Sequence, residues 1–163
     1  MRAAFVAVVL TALCGPTFAG EEEVYGTWKL LSDQTKVLDT GEMIDNSGGA
    51  VPSGYITYGR DGRMMVLIMR GVRPTPDSLA TMTDQERADL FRSMGAAYGG
   101  TFKFDGSTME HHIDISWNNI WTGTTQIRDV KKDGDKLIYT TRPAPFVRDG
   151  RMVVTTLIWE KVK

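Results

Sequence analysis

Two histidines stand side by side in Met109-Glu110-His111-His112-Ile113-Asp114-Ile115-Ser116, and an imidazole is the side chain that changes charge nearest neutral pH. In an extended chain successive side chains point to opposite faces. Met109, His111, Ile113 and Ile115 therefore share one face, and Glu110, His112, Asp114 and Ser116 the other. The first face is apolar but for one imidazole, which suits a pocket lining. There His111 would exchange hydrogen bonds with a ligand oxygen or work as an acid or base; the competing reading is a core histidine bonded to Tyr, Thr or backbone. The same alternation keeps His111 and His112 from chelating one ion without a bulge. His112 with Asp114 would give only two ligands on the outer surface, so no metal is expected.

Gln126 and Arg128, which share a face with Thr124 on the following extended segment, are the nearest polar partners for His111. A buried arginine without a partner is costly, so Arg128 requires a carboxylate, a ring face or an anionic ligand. Trp117 and Trp121 bracket Asn118-Asn119-Ile120; they would grip a flat apolar ligand at a pocket mouth or anchor their loop to its rim. Arg70 and Arg73, beside Pro74, would attract a carboxylate at that rim or lie solvated at a strand end. With Tyr98 and Met109, these residues make up the candidate ligand-binding set: Arg70, Tyr98, Met109, His111, Trp117, Trp121, Gln126 and Arg128. Methionines at 64, 65, 69, 94, 109 and 152 would give a pliable lining or an ordinary core. No serine stands in a Gly-x-Ser-x-Gly elbow and no glycine-rich phosphate loop is present, so nucleophilic catalysis finds no support and no cofactor is expected.

The first residues read as a targeting signal. Arg2 is followed by an apolar run from Ala3 to Cys14, broken at Gly15-Pro16, with Thr17-Phe18-Ala19 offering small residues before a cut. The run is too short for a permanent membrane span. Leu13 stands where a lipoprotein signal needs a small residue, so cleavage near Ala19 and release are favoured over anchoring at Cys14. Residues 20–163 then form one domain around one core. Cys14 is the only cysteine, so the exported chain would contain none, which fits a secreted or bacterial periplasmic protein resting on its core. The 19 basic side chains, Arg2 among them, oppose 20 acidic ones and form no basic run, which argues against nucleic-acid binding. No second apolar run is long enough to insert stably in a membrane, and nothing in the pattern specifies an oligomeric state.

The elements that must position these residues are mostly strands. Gly26 to Ser32 opens the domain, with Trp28, Leu30 and Ser32 on one face; Asp33 to Val51 is polar and holds one weak strand and a loop around Val37-Leu38. Gly54 to Tyr58 and Met64 to Arg70 follow. The later strands run roughly over Tyr98–Phe104, Thr108–Trp117, Gly123–Val130, Lys136–Arg142 and Met152–Val162. Asp61-Gly62, Asp105-Gly106, Asp133-Gly134 and Asp149-Gly150 lie between strands and are turn formers that join antiparallel neighbours. Such a meander closes into a barrel to remove its edges. One helix interrupts it at about 84–96, after Pro74 and Pro76, started by Thr83-Asp84-Gln85-Glu86 as a capping box. It is either a lid over one barrel mouth or a helix packed on the wall, and the wall is favoured.

An ordered series of motifs spans nearly all of the exported chain. It comprises Gly26-Thr27-Trp28-Lys29-Leu30, Gly54-Tyr55-Ile56-Thr57-Tyr58 with Asp61-Gly62-Arg63-Met64, Arg70 with Arg73-Pro74, Tyr98-Gly99-Gly100, His111-His112, Trp121-Thr122-Gly123-Thr124 with Gln126 and Arg128, and Leu157-Ile158-Trp159-Glu160. This series resembles the bacterial lipocalin-like domain family. The resemblance implies a closed antiparallel up-and-down barrel of about 8–10 strands with a central cavity. It also implies that Trp28 plugs the closed end beneath a basic side chain from a late strand, for which Arg128 is one candidate. The leading expectation is an exported barrel that binds a small apolar or amphipathic molecule. The alternative is an isomerase or cyclase using the same cavity, with His111 as acid or base; a third is a filled barrel working through its surface.

Overall fold

The computed structural model describes residues 20–71, 73–146 and 148–163; the leader expected at residues 1–19, with Cys14, lies outside the described residues. In chain order the strands are β1 (Gly26–Val37), β2 (Met43–Asp45), β3 (Ser53–Tyr58), β4 (Arg63–Met69), β5 (Met94–Phe104), β6 (Thr108–Ser116), β7 (Thr125–Asp133), β8 (Lys136–Thr141), β9 (Ala144–Pro145) and β10 (Met152–Lys161). One α-helix, α1 (Asp84–Arg92), separates β4 from β5. Strands β1, β3, β4, β5, β6, β7, β8 and β10 pair antiparallel in that order, and β10 pairs back onto β1. The barrel is therefore closed with eight strands. β2 and β9 are short additions beside β1 and β10.

The two ends differ. At one end the strands are joined by Gly59–Gly62, Asp105–Ser107 and Gly134–Asp135; at the other lie the long connections between β1 and β3, β4 and β5, β6 and β7, and β8 and β10. Three of the four Asp-Gly pairs form the short turns. Their glycines adopt the left-handed backbone that tight turns need, with φ of 76° at Gly62 and 60° at Gly134. The short-turn end is filled. Trp28 is buried there with Phe102, Phe104, Met109, Leu137 and Trp159, and its indole N–H donates to Val24 O at 2.7 Å. The basic group over its ring is Lys161, 4.5 Å from the centroid, rather than Arg128. Lys161 comes from the end of β10, which pairs with Trp28 itself, whereas Arg128 is buried further up the barrel.

Two bulges overturn simple alternation. In β1 the register against β10 shifts at Leu31: Trp28 and Leu30 face inward before it, while Asp33, Thr35 and Val37 are buried after it. Ser32, expected inward, is therefore only half-buried, and the first strand, expected to end at Ser32, runs on to Val37 as a 12-residue strand. In β6 the pairing jumps from Gly100↔Ile113 to Gly99↔Ile115, so Asp114 is the extra residue. Met109, His111 and Ile113 are buried as expected, but Ile115 is turned out and 69 % exposed.

The capping box at Thr83 forms as expected: Thr83 Oγ1 accepts from Glu86 N–H, and Glu86 Oε2 accepts from Thr83 N–H at 2.8 Å. The helix ends at Arg92, earlier than expected, because Met94, Gly95 and Ala96 already belong to β5. No α1 residue is buried, so the helix does not sink into the barrel wall. It lies in the connection at the open end, where Phe91 meets Trp117 edge-on at 4.9 Å. Among the described residues no helix is long and apolar enough to cross a membrane.

Candidate functional site

The upper half of the barrel encloses a cavity of about 400 Å³. Its apolar wall comes from alternate, inward residues of several strands, among them Ile56 on β3, Val66 and Ile68 on β4, and Leu157 on β10. These side chains surround space instead of meeting one another across it. Into this wall the sequence sets a compact polar group.

His111 is at its centre. Its Nε2 lies 2.8 Å from Tyr58 Oη and its Nδ1 2.9 Å from Tyr98 Oη, and Tyr58 Oη lies 2.9 Å from Tyr139 Oη. Arg128 Nη2 donates to Tyr98 Oη at 3.2 Å and to Gln126 Oε1. All four aromatic members are buried; His111, Tyr98 and Tyr139 line the cavity, with Tyr58 behind them. Burial first, and then the neighbouring Arg128 charge, hold the His111 imidazole well below its ordinary pKa. Burial pushes the Tyr58, Tyr98 and Tyr139 phenols upward. Near neutral pH the group therefore consists of one neutral imidazole, three intact phenols and one guanidinium. It gives hydrogen bonds readily and holds no negative charge.

A second polar group closes the mouth side. Arg70 Nε donates to Asp33 Oδ2 at 2.8 Å, and Asn46 Nδ2 donates to Asp33 Oδ1 and to Thr35 Oγ1, both at 2.8 Å. Thr35 Oγ1 is 2.8 Å from Thr155 Oγ1. The β1 bulge creates this group by turning Asp33 and Thr35 inward. An aromatic series runs over the rim: Phe91 meets Trp117, Trp117 meets Trp121 at 6.0 Å, and Trp121 meets Tyr98 at 6.1 Å, each edge to face.

Of the residues singled out from the sequence, Arg70, Tyr98, His111, Trp121, Gln126 and Arg128 come together on the cavity. Trp117 stands behind Trp121, between it and α1. Met109 is fully buried in the core beneath and does not line the cavity. Arg73 donates to Ser93 Oγ at 3.1 Å. His112 faces outward, and its neighbour Asp114 is bonded to Arg63. The sequence reading passed over Tyr58, Tyr139, Trp159 and Arg142. The first three had a usable signal, since Ile56/Tyr58, Leu137/Tyr139 and Leu157/Trp159 each alternate onto an inward face. Arg142, just beyond β8, had none.

An eight-stranded closed antiparallel barrel with a filled end, an open end and an internal cavity is the architecture of lipocalin-type barrels. The chain matches the lipocalin-like domain family over residues 25–162 and belongs to it. No curated protein matches the chain.

Proposed function

We propose that this barrel takes up a small apolar or amphipathic molecule in its cavity, and that it does so after export and removal of the leader near Ala19. The observation that carries the binding reading is the cavity itself: about 400 Å³ behind a largely apolar wall, a size in the usual range for small-molecule pockets. Barrels of this family typically bind small ligands, which supports the same reading. The export reading rests on the sequence of residues 1–19 alone.

The alternative, an isomerase or cyclase with His111 as acid or base, draws less support. Both ring nitrogens are already bonded to tyrosines, and the imidazole is a weak base in its buried site. Tryptophan emission tests binding directly, because Trp121 and Trp159 line the cavity. Titration with a panel of lipids and aromatic compounds should quench or shift emission and raise Tm, by about 2.7 kcal/mol of added stability at a ligand concentration 100 times Kd. A panel that moves neither signal removes the binding reading. N-terminal sequencing of protein recovered from its native host should start at Gly20; an intact Met1 would remove the export reading.

A further inference from the structure

We infer that the cavity is selective for a monoanionic carboxylate, an apolar acid whose head group is received at Arg128; this rests on the binding reading above and specifies its ligand class. The first support is charge. Arg70, Arg128 and Arg142 line the cavity, and no aspartate or glutamate does so among the described residues. Arg70 is paired with Asp33 behind it. Among the described residues Arg128 has no carboxylate within ion-pair distance, although it is only 9 % exposed. A guanidinium buried this deeply is costly without a counter-charge, and the neutral phenols and amide around it provide none.

The second support is a count of donors. His111 and the phenols of Tyr58, Tyr98 and Tyr139 carry one polar hydrogen each and are joined by three hydrogen bonds. A neutral imidazole keeps one N–H, so one phenol O–H is always left over whichever way the series is oriented. Arg128 donates to Tyr98 Oη and so favours Tyr98 as donor to Nδ1. With Tyr58 in turn donating to Tyr139, the remaining hydrogen falls on Tyr139, on the cavity wall; with that one bond reversed it falls on Tyr58 behind the wall. Arg128 Nη1 and Trp159 Nε1 are likewise buried donors without a partner, and both residues line the same cavity. Two buried donors beside the cavity thus lack an acceptor, a third joins them where Tyr58 donates to Tyr139, and no carboxylate lines the cavity among the described residues. A carboxylate is acceptor-only, planar and singly charged, which matches a guanidinium fork with neutral donors beside it. An alcohol would answer only part of this demand and leave the charge uncompensated; an amine would add to it.

The test compares acids with their alcohols on two skeletons: decanoate with decanol, and naphthoate with naphthylmethanol, each titrated into the full chain by calorimetry near neutral pH. The acid of at least one pair should bind roughly 10- to 100-fold tighter than its alcohol, the range over which hydrogen bonds to a charged group act. In Arg128→Met the ratio of acid to alcohol affinity should fall to about one. As pH falls through the ligand's own carboxyl pKa, about 4–5, the acids should lose their advantage in the wild type; this arm stands even where Arg128→Met does not fold. Equal affinity of acids and alcohols overturns the carboxylate inference and leaves the cavity reading intact. An acid preference that survives Arg128→Met, or does not fade at low pH, overturns it too. Failure of all four compounds to bind removes the binding reading together with the inference.

Discussion

His111 is the residue where local chemistry and folding meet. Its imidazole is neutral in the folded protein, held well below its ordinary pKa by burial and by Arg128, whereas in the unfolded chain it titrates near 6.5. Below about pH 6.5 the unfolded state therefore binds the extra proton, and stability falls as pH drops, by at most about 1.4 kcal/mol per pH unit from this group. The shifted Asp45, Glu86, Asp89, Asp105 and Asp149 carboxyls are all lowered, so their contributions are lost only as pH falls below about 4.5. Urea unfolding between pH 5 and pH 7 should show this slope in the wild type and a flatter profile in His111→Gln. Tyr58→Phe should cost about 1–3 kcal/mol at neutral pH, because it strips partners from His111 Nε2 and Tyr139 Oη inside the barrel; unchanged unfolding would mean the hydroxyl does not join the series.

At the scale of elements, the bulges decide which side chains meet. Gly100 sits opposite the β6 bulge, where a Cβ would stand 1.8 Å from His112 O; at Gly99 an added Cβ would meet only Met65 and Ile115 side chains and Met64 O, at 3.5 Å or more. Gly100→Ala should therefore destabilise by more than about 3 kcal/mol, while Gly99→Ala stays within about 1 kcal/mol, as read by chemical denaturation of both. The α1 cap gives the opposite kind of outcome. Thr83→Ala should cost the helix about 1 kcal/mol, visible as faster amide exchange over Asp84–Arg92. The global Tm should hardly move, since no α1 residue is buried. These elements also mark what the sequence could and could not say. Period-two alternation placed Met109, His111 and Ile113 inside, the Asp-Gly pairs marked the turns, and Thr83 with Glu86 marked the helix start. All of these are local signals. Bulges at Leu31 and Asp114 insert one residue into strands of unchanged composition, so alternation alone puts Ile115 and Ser32 inside and ends the first strand before Asp33. The contact between Tyr58 and His111 spans 53 positions and follows only from the closed sheet.

The whole molecule divides into a packed half and a hollow half, and stability should divide the same way. Trp28→Ala, in the packed half, should cost about 3–5 kcal/mol and also leave Lys161 without its ring. Val66→Ala, on the wall of the hollow half, removes a side chain that already borders space and should cost less, about 1–2 kcal/mol. Comparable losses at the two positions by urea unfolding would mean that the upper barrel is as tightly packed as the lower.

Among the described residues the long connections lie at one rim, and short turns with a tryptophan plug fill the other, so the cavity opens toward one end of the barrel. On the carboxylate reading proposed above, a guest would enter head first for its polar group to meet Arg128 and would leave by the same rim. Its tail would then lie toward the rim, near Trp121.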